Sequence, residues 1–265
     1  MITIAEKINA TIPSVKRIIE NKEEKQLIKL ARSQAEVGAD YLDVNVGTGS
    51  GTQEDEMEAM AWAVTTIQQE IDTPLCIDSA DHKVLEAGLK ARGERPALIN
   101  STKGSDKYIN DVLPLAKEYD QPLVGLAMDE EGIPKTVEKR VAACLKIAEA
   151  CSHFGLDTGN LFFDPLVLPV ATDVSQGKVT LDTIKAIKHA IPQAKTVMAV
   201  SNISFGLPKR KIFNAAFLHM AIMAGLDAAI LNVLDRDLVG AAKTAEAILG
   251  RDRHCRKYSR FWRKQ

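Results

Sequence analysis

The chain has 265 residues, of which 46% are hydrophobic, 26% charged and 5% aromatic, and its formal net charge is −1. These are ordinary globular proportions, and a chain of this length can bury a core that needs no disulfide or metal staple. A near-neutral balance with few aromatic rings gives no global attraction for nucleic acid or an anionic membrane. No apolar run approaches the ~18 residues of a membrane span, and the opening MITIAEKINA lacks a basic region followed by an apolar core. A soluble, cytoplasmic protein is expected. Cys76, Cys144, Cys151 and Cys255 show neither C-x₂-C spacing nor histidines at ligand spacing, so they read as reduced, packed thiols.

Along the chain, short β-branched runs alternate with longer helical stretches. The first run is Ile2–Ile8. The stretch from Pro13 to Val37 then reads as one helix, with Pro13 near its start and Gly38 just past its end. Tyr41–Val46 follows, then a helix over Asp55–Glu70 with Thr52 placed as its cap. Leu75–Asp78 precedes a helix over His82–Ala91, Ala97–Asn100 one over Asp106–Tyr119, and Leu123–Met128 one over Thr136–Phe154. In the last of these helices, Val141–Ala148 carries apolar residues at three- and four-residue spacing. Leu161–Asp164, Thr196–Val200 and Ala228–Leu231 are the last three runs, each with its helix: Leu181–Ala190, Arg210–Ala224 and Asp237–Leu249. Eight strands and eight helices in strict alternation predict an α/β fold, a single closed (β/α)₈ TIM barrel over residues 1–250, with an open doubly wound sheet as the alternative. Residues 251–265 form a basic tail in which Arg251, Arg253, Arg256, Lys257, Arg260, Arg263 and Lys264 face only Asp252. Such a run is either a solvated end or a dock for an acidic partner.

Nearly every predicted strand ends in an acid or an amide. These are Glu6 with Asn9, Asp43 with Asn45, Asp78, Asn100, Asp164, Asn202 and Asn232. In a barrel those ends converge on one face, where active sites are built. Any one of them could simply start a turn or cap a helix. As a set they imply a ligand rich in hydrogen-bond donors or a metal, because buried carboxylates are costly without partners. The five histidines (His82, His153, His189, His219, His254) fall in predicted helices or the tail, which speaks against a metal-dependent barrel hydrolase. No strand has an interior lysine for a Schiff base apart from Lys7, and no G-x-S-x-G elbow or Cys–His pairing occurs. The stretch Gly47-Thr48-Gly49-Ser50-Gly51 lacks the lysine of a phosphate loop and reads as a flexible connection. A planar heterocycle with a guanidine-like edge fits better. Its amino group and ring N–H make two parallel donors for a carboxylate, and an amide can face a mixed edge. A pterin has both edges.

The segments Leu42-Asp43-Val44-Asn45-Val46-Gly47, Cys76-Ile77-Asp78-Ser79, Ile99-Asn100-Ser101-Thr102, Phe163-Asp164-Pro165 and Val200-Ser201-Asn202-Ile203-Ser204 occur in this order. Together they resemble the pterin-binding methyltransferase family, which includes methyltetrahydrofolate:corrinoid protein methyltransferases and the folate domain of cobalamin-dependent methionine synthase. The likeness runs from about Ile4 to Leu249. Its most specific part is the Ser201–Ser204 segment, followed by Arg210, Asn214 and Gly225-Leu226-Asp227-Ala228-Ala229. Dihydropteroate synthases share the fold and the early motifs, but their glycine-rich loop after Asp-Pro and their late Arg-x-His motif are missing. The family often begins Gly-Glu-Arg-Ile-Asn where this chain has Ala5-Glu6-Lys7-Ile8-Asn9.

The resemblance implies that Asp78, Asn100 and Asp164 hydrogen-bond the pterin ring of tetrahydrofolate or 5-methyltetrahydrofolate. It implies that Asp43 and Asn45 line the same face, that Ser201 and Arg210 shape the pocket, and that Asn202 faces N5 as the catalytic residue. N5 must gain a proton or a strong hydrogen bond to leave its methyl group. Asn202 can supply the hydrogen bond, and the proton would come through water or a neighbouring carboxylate. No Asp-x-His-x-x-Gly corrinoid signature occurs, so the corrinoid (cobalamin) is expected on a partner corrinoid protein. No metal site, nucleic acid or membrane is expected, and the resemblance implies a homodimer. The alternatives are a dihydropteroate-synthase-like condensation and non-catalytic folate binding.

Overall fold

A computed structural model describes residues 1–263. Eight parallel strands close into a barrel in sequence order: β1 (Ile2–Asn9), β2 (Tyr41–Asn45), β3 (Leu75–Asp78), β4 (Ala97–Lys103), β5 (Leu123–Leu126), β6 (Leu161–Asp164), β7 (Lys195–Ala199) and β8 (Ala228–Leu231). β8 returns to β1 in register, Ile2 beside Ala228 and Ala5 beside Leu231, which closes the ring and leaves no edge. The helices are α1 (Pro13–Glu20), α2 (Glu24–Glu36), α3 (Gln53–Gln68), α4 (His82–Ala91), α5 (Asp106–Glu118), α6 (Val137–His153), α7 (Gln176–Ala190), α8 (Arg210–Ala224), α9 (Arg236–Ile248) and α10 (Arg256–Arg263). The TIM barrel expected from the alternation is the observed fold. Among the described residues no helix is long and apolar enough to cross a membrane.

Two cores result from the two faces of the strands. Leu42, Val44, Ile77, Ile99, Phe163, Met198 and Leu231 point outward into a continuous apolar shell beneath the helices. Ile4, Cys76, Leu98, Val124, Phe162, Val197 and Ala228 point inward and plug the barrel. Side chains alternate faces along a strand, so the residue two places beyond each plug residue shares the interior and stands nearer the mouth. That rule places Glu6 above Ile4, Asp78 above Cys76, Asn100 above Leu98 and Asp164 above Phe162.

The single helix expected over Pro13–Val37 is two. Lys22 adopts a left-handed conformation (φ 49°), and its N–H and that of Glu23 return to the carbonyls of Ile19 and Ile18 at 3.1 and 2.9 Å. The physical reason is the run Asn21-Lys22-Glu23-Glu24-Lys25-Gln26, which offers no apolar residue to keep a straight helix on the barrel. α1 buries Val15, Ile18 and Ile19, and α2 restarts to bury Leu27, Ala31 and Gln34. α7 starts five residues before the expected Leu181, because Gln176 and Thr180 bury their side chains against α6 rather than solvent. The cap expected for α3 is present as a reciprocal Thr52–Asp55 box.

The basic tail folds back. Asp252 accepts the backbone N–H groups of Lys257 and Tyr258 at 3.0 and 2.9 Å and so starts α10. Phe261 and Trp262 meet edge to face at 5.1 Å, and Trp262 lies over Gly240 of α9, where a Cβ would sit 2.5 Å from the indole. Arg251, Arg253, Arg256, Lys257, Arg260 and Arg263 are exposed; Lys264 lies outside the described residues.

Packing between α4 and the barrel is tightest at Gly88, where a Cβ would stand 2.7 Å from Ile77 Cγ2 and 2.9 Å from Met60 Cγ. Gly88→Val is expected to lower the unfolding free energy by about 1–3 kcal/mol through overpacking. Urea unfolding at neutral pH measures this, and an unchanged midpoint would show that the α3–α4–β3 contact has slack.

Candidate active site

The mouth of the barrel opens on a cavity of about 600 Å³, within the range of small-molecule sites. Asp43, Asp78, Asn100 and Asp164 form its inner wall; Glu6, Lys7, Asn9, Ser201, Asn202, Phe205 and Arg210 form its rim and sides. The inner four come from four different strands, brought together by register: Asp43 pairs with Cys76, and Asp78 with Asn100. Of the residues read from the sequence as pterin-binding, only Asn45 does not line the cavity. It stands behind Asp78 and donates from Nδ2 to Asp78 Oδ2 at 2.8 Å.

The inner wall is rich in acceptors and short of donors. Asp43 is 3% exposed and Asp164 9%. Asp43 Oδ1 is buried without a hydrogen-bond partner. Asp164 Oδ1 accepts the Leu166 N–H at 2.7 Å. Burial pushes the Asp164 carboxyl up to about 7, against the Leu166 hydrogen bond and the Arg140 charge, which lower it. Burial likewise raises Asp78 to about 6, opposed by the Asn45 amide and aided by Glu56. Asp43 is raised well above the carboxylate range by burial and by Asp78 beside it. Glu6 is raised by burial and pulled back by Lys7. Desolvation therefore dominates all four. Beneath them, burial pushes the Cys76 thiol up, and the neighbouring Asp43 and Asp78 push it further. A ligand offering paired N–H donors would relieve this cost, because a hydrogen bond to the charged form favours it.

The wall formed after β7 is different. Val200–Ser204 makes a 3₁₀ turn whose Val200, Ile203 and Ser204 are buried and whose Asn202 is exposed. Arg210 clasps this turn, donating from Nη2 to the Ser201 carbonyl at 2.8 Å and from Nε to Ser204 Oγ at 3.1 Å. Ser204 Oγ donates to Asn214 Oδ1 at 2.6 Å, and Ser201 Oγ to Glu6 Oε2 at 3.5 Å. The Asn202 side-chain amide makes no hydrogen bond among the described residues and faces the cavity free. The buried acceptors grip one end of a ligand, and the free amide meets the part nearest the opening.

Sequence reasoning missed Phe205, which is 67% exposed and lies with its ring under the Arg210 guanidinium, and Arg140, which is wholly buried behind Asp164. The signal for Arg140 was present. It is a charged residue just before the apolar stripe of α6 that begins at Val141. Among the described residues no group of His, Cys, Asp and Glu is placed to hold a metal.

A family model described as pterin binding enzyme matches residues 5–232. The chain is 37% identical to a methylcorrinoid:tetrahydrofolate methyltransferase of Eubacterium limosum, over 99% of this chain and 96% of that protein. It is 32% identical to a methionine synthase of Mycobacterium leprae over 88% of this chain, which spans only 20% of that longer protein. Among solved structures, the 7,8-dihydropteroate synthase of Vibrio fischeri matches 94% of this chain and 93% of its own with a TM-score of 0.72 at 16% identity. A Yersinia pestis dihydropteroate synthase bound to a pterine-sulfa conjugate matches at a TM-score of 0.69 and 15% identity, over 94% of this chain and 93% of its own. At such identities the structures establish the barrel alone.

The raised carboxyls make a stability prediction. Free aspartate titrates near 3.8, and Asp164 in the fold near 7. Between these values the folded chain keeps a proton that the unfolded chain has released, so stability from this group is full below about pH 4 and is lost as the pH rises through about 7. Asp164→Asn keeps the shape and an oxygen for Leu166 N–H but carries no charge. It is expected to stabilise the ligand-free protein by on the order of 2–4 kcal/mol at pH 8, and by clearly less at pH 5. Urea titrations at the two pH values read this, and a pH-independent effect would refute it.

Proposed function

The chain belongs to the pterin binding enzyme family, and from that premise we propose that it is a methyltransferase moving a methyl group between N5 of tetrahydrofolate and the cobalt of a corrinoid borne by a separate protein. The observation that carries the reading is the cavity wall: four acceptors on four strands, Asp43, Asn100 and Asp164 buried and Asp78 half-buried, one oxygen of them unpartnered, below a free amide at the rim. Asp43, Asp78, Asn100 and Asp164 receive the amino and ring N–H groups of the pterin, with Asn45 fixing Asp78 from behind. That leaves N5 toward Asn202 and the open mouth, where a second substrate has room to approach. The 37% identity to the methylcorrinoid:tetrahydrofolate methyltransferase across nearly the whole of both chains favours this chemistry over a dihydropteroate-synthase-like condensation, for which the likeness is one of fold.

The corrinoid supplies or receives the methyl group at its cobalt. The chain's own residues manage the nitrogen. When N5 gains the methyl group, its N–H proton must leave, and when N5 gives it up, a proton must arrive. Asn202 offers a carbonyl to accept the N5–H in one direction and an amide N–H to support the nitrogen lone pair in the other. It is too weak an acid to be the proton source. Glu6, hydrogen-bonded to Ser201 in the same turn and raised by burial, is the carboxylate nearest that role. Arg210 holds the turn rigid, which is what preorganised stabilisation requires.

We further infer that the protein is a homodimer, cytoplasmic like a soluble metabolic enzyme, with residues 1–250 as its one catalytic domain and 251–265 as an appended tail. Support for the dimer comes from α8, whose outer face shows Ile212, Phe213, Met220 and Met223 to solvent, Met223 at 70% exposure. Their spacing places them on one helical stripe, and monomers rarely expose such a stripe.

Three measurements test the reading. Mixing the protein with a methylated corrinoid and tetrahydrofolate should change the cobalt absorption spectrum in proportion to methyltetrahydrofolate formed; no change with any corrinoid, free or protein-borne, would overturn it. Asn202→Ala is expected to slow transfer by on the order of 10²-fold while tetrahydrofolate affinity changes little. Combining Met220→Glu with Met223→Glu should convert a dimer to a monomer in light scattering, and a wild-type protein already monomeric would remove the dimer.

A further inference from the structure

We propose that Arg140 is the positioning residue of the pterin site, its buried guanidinium both setting the Asp164-Pro165-Leu166 turn and serving as the countercharge for the Asp164 carboxylate. The proposal rests on the reading that Asp164 grips the pterin, and adds to it a residue that does not touch the ligand.

Arg140 lies on the barrel-facing side of α6 and is 0% exposed. Each of its three nitrogens has a partner. Nε donates to the Pro134 carbonyl at 2.8 Å, Nη1 to the Pro165 and Leu166 carbonyls at 2.9 Å each, and Nη2 to Gln176 Oε1 at 2.8 Å. Thr180 Oγ1 stands 3.4 Å from Nη1. Each of these acceptors is neutral. A buried cation without an anion in contact costs several kcal/mol, and an apolar side chain of similar volume commonly serves packing better. Packing alone therefore does not account for an arginine here.

The anion is one residue away. Arg140 holds the carbonyls that follow Asp164, and the Leu166 N–H donates back to Asp164 Oδ1 at 2.7 Å. Leu166 adopts φ 65°, a left-handed conformation that a branched side chain rarely takes. A planar fork that takes two successive carbonyls with one nitrogen fixes that conformation, and the fixed turn aims the carboxylate into the cavity. The ionisable groups that face Asp164 from α6 are Arg140 and Cys144. From α7 come neutral Gln176 and Thr180, β5 brings none, and Lys195 of β7 is turned away to the Gly159 carbonyl at 2.6 Å. Arg140 is the cation that can hold Asp164 ionised when a pterin donor arrives.

The test is tetrahydrofolate binding by calorimetry from about pH 5 to about pH 9 for wild type, Arg140→Met and Arg140→Lys. Binding uses the charged carboxylate, so wild-type affinity should weaken as the pH falls through about 7. Arg140→Met removes the charge and the fork. Its midpoint should move to higher pH, with about a tenfold or greater loss of affinity at pH 7. Arg140→Lys keeps the charge and loses the fork, so its affinity should fall by a similar factor at every pH with the midpoint unmoved. Wild-type affinity and midpoint in Arg140→Met would overturn the proposal, as would a loss of equal size at all pH values. If Arg140→Met does not fold, wild-type binding by Arg140→Lys overturns it. A wild-type protein that binds no tetrahydrofolate at any pH fails differently, because that outcome removes the folate reading itself.

Discussion

Each strand of a closed parallel ring gives the interior one side chain in every two residues, and everything at the mouth follows from how those positions are used. The lower positions carry Ile4, Cys76, Leu98, Val124, Phe162 and Val197, which fill the barrel and exclude water from below. The next interior positions on the same strands carry Glu6, Asp78, Asn100 and Asp164. The acceptors thus stand on an apolar floor. That floor is the source of their desolvation, and hence of carboxyls near 6 and 7 where free side chains titrate near 3.8. The same floor makes them selective. A ligand edge that cannot donate leaves them unpaired, and an edge that can donate meets them where a hydrogen bond is worth most.

The burden of holding unpaired carboxylates falls on the rest of the fold. The outer strand faces and the helices α1 to α9 form one continuous apolar shell, and the strands have no free edge to fray. Such a shell tolerates a strained mouth, as functional sites in stable scaffolds generally are. The local supports are specific. Asn45 is interior on β2 yet serves Asp78 rather than the cavity, and Arg140 serves Asp164 from behind. Asp78 thus has the Asn45 amide and Asp164 the Leu166 N–H of a turn held by Arg140, whereas Asp43 keeps a buried oxygen without a partner and is the acceptor most in need of a ligand.

How far the sequence foretold this follows from which forces are local. Strand positions were legible because β-branched runs ending in Asp or Asn recur with helical stretches between them, and strands such as Leu75–Asp78 and Leu161–Asp164 coincide with their expected limits. The break at Lys22 was not, because helix signals at Pro13 and Gly38 bracket it correctly and only the missing apolar face of Asn21–Gln26 betrays it. The site was legible as a set of strand ends. Register decides which of them share the cavity and which stand behind, and register is a tertiary property. Arg140 was visible only as a charged residue at the head of the Val141 stripe, for a similar reason. Nothing in the order Glu138-Lys139-Arg140-Val141 says that Arg140 rather than Lys139 turns inward, and the carbonyls that receive it belong to a turn some 25 residues later.

The remaining distinction is between the two halves of the mouth. Strands hold the acceptors, and their geometry is fixed by a barrel that cannot shift one strand without disturbing its neighbours. Asn202 sits instead on a short 3₁₀ turn, exposed, with its side chain free and its backbone held by Arg210 and Ser204. Binding a pterin requires the first arrangement, since paired donors demand fixed acceptors. Methyl transfer as proposed calls for the second, since the hydrogen-bonding state of N5 would reverse as the methyl group comes or goes, and a group with both a carbonyl and an N–H follows that reversal only if nothing else claims either. A buried, already-bonded amide could not. In the proposed reaction, the unpartnered amide at the rim is what would let the barrel that holds the pterin ring also serve its N5.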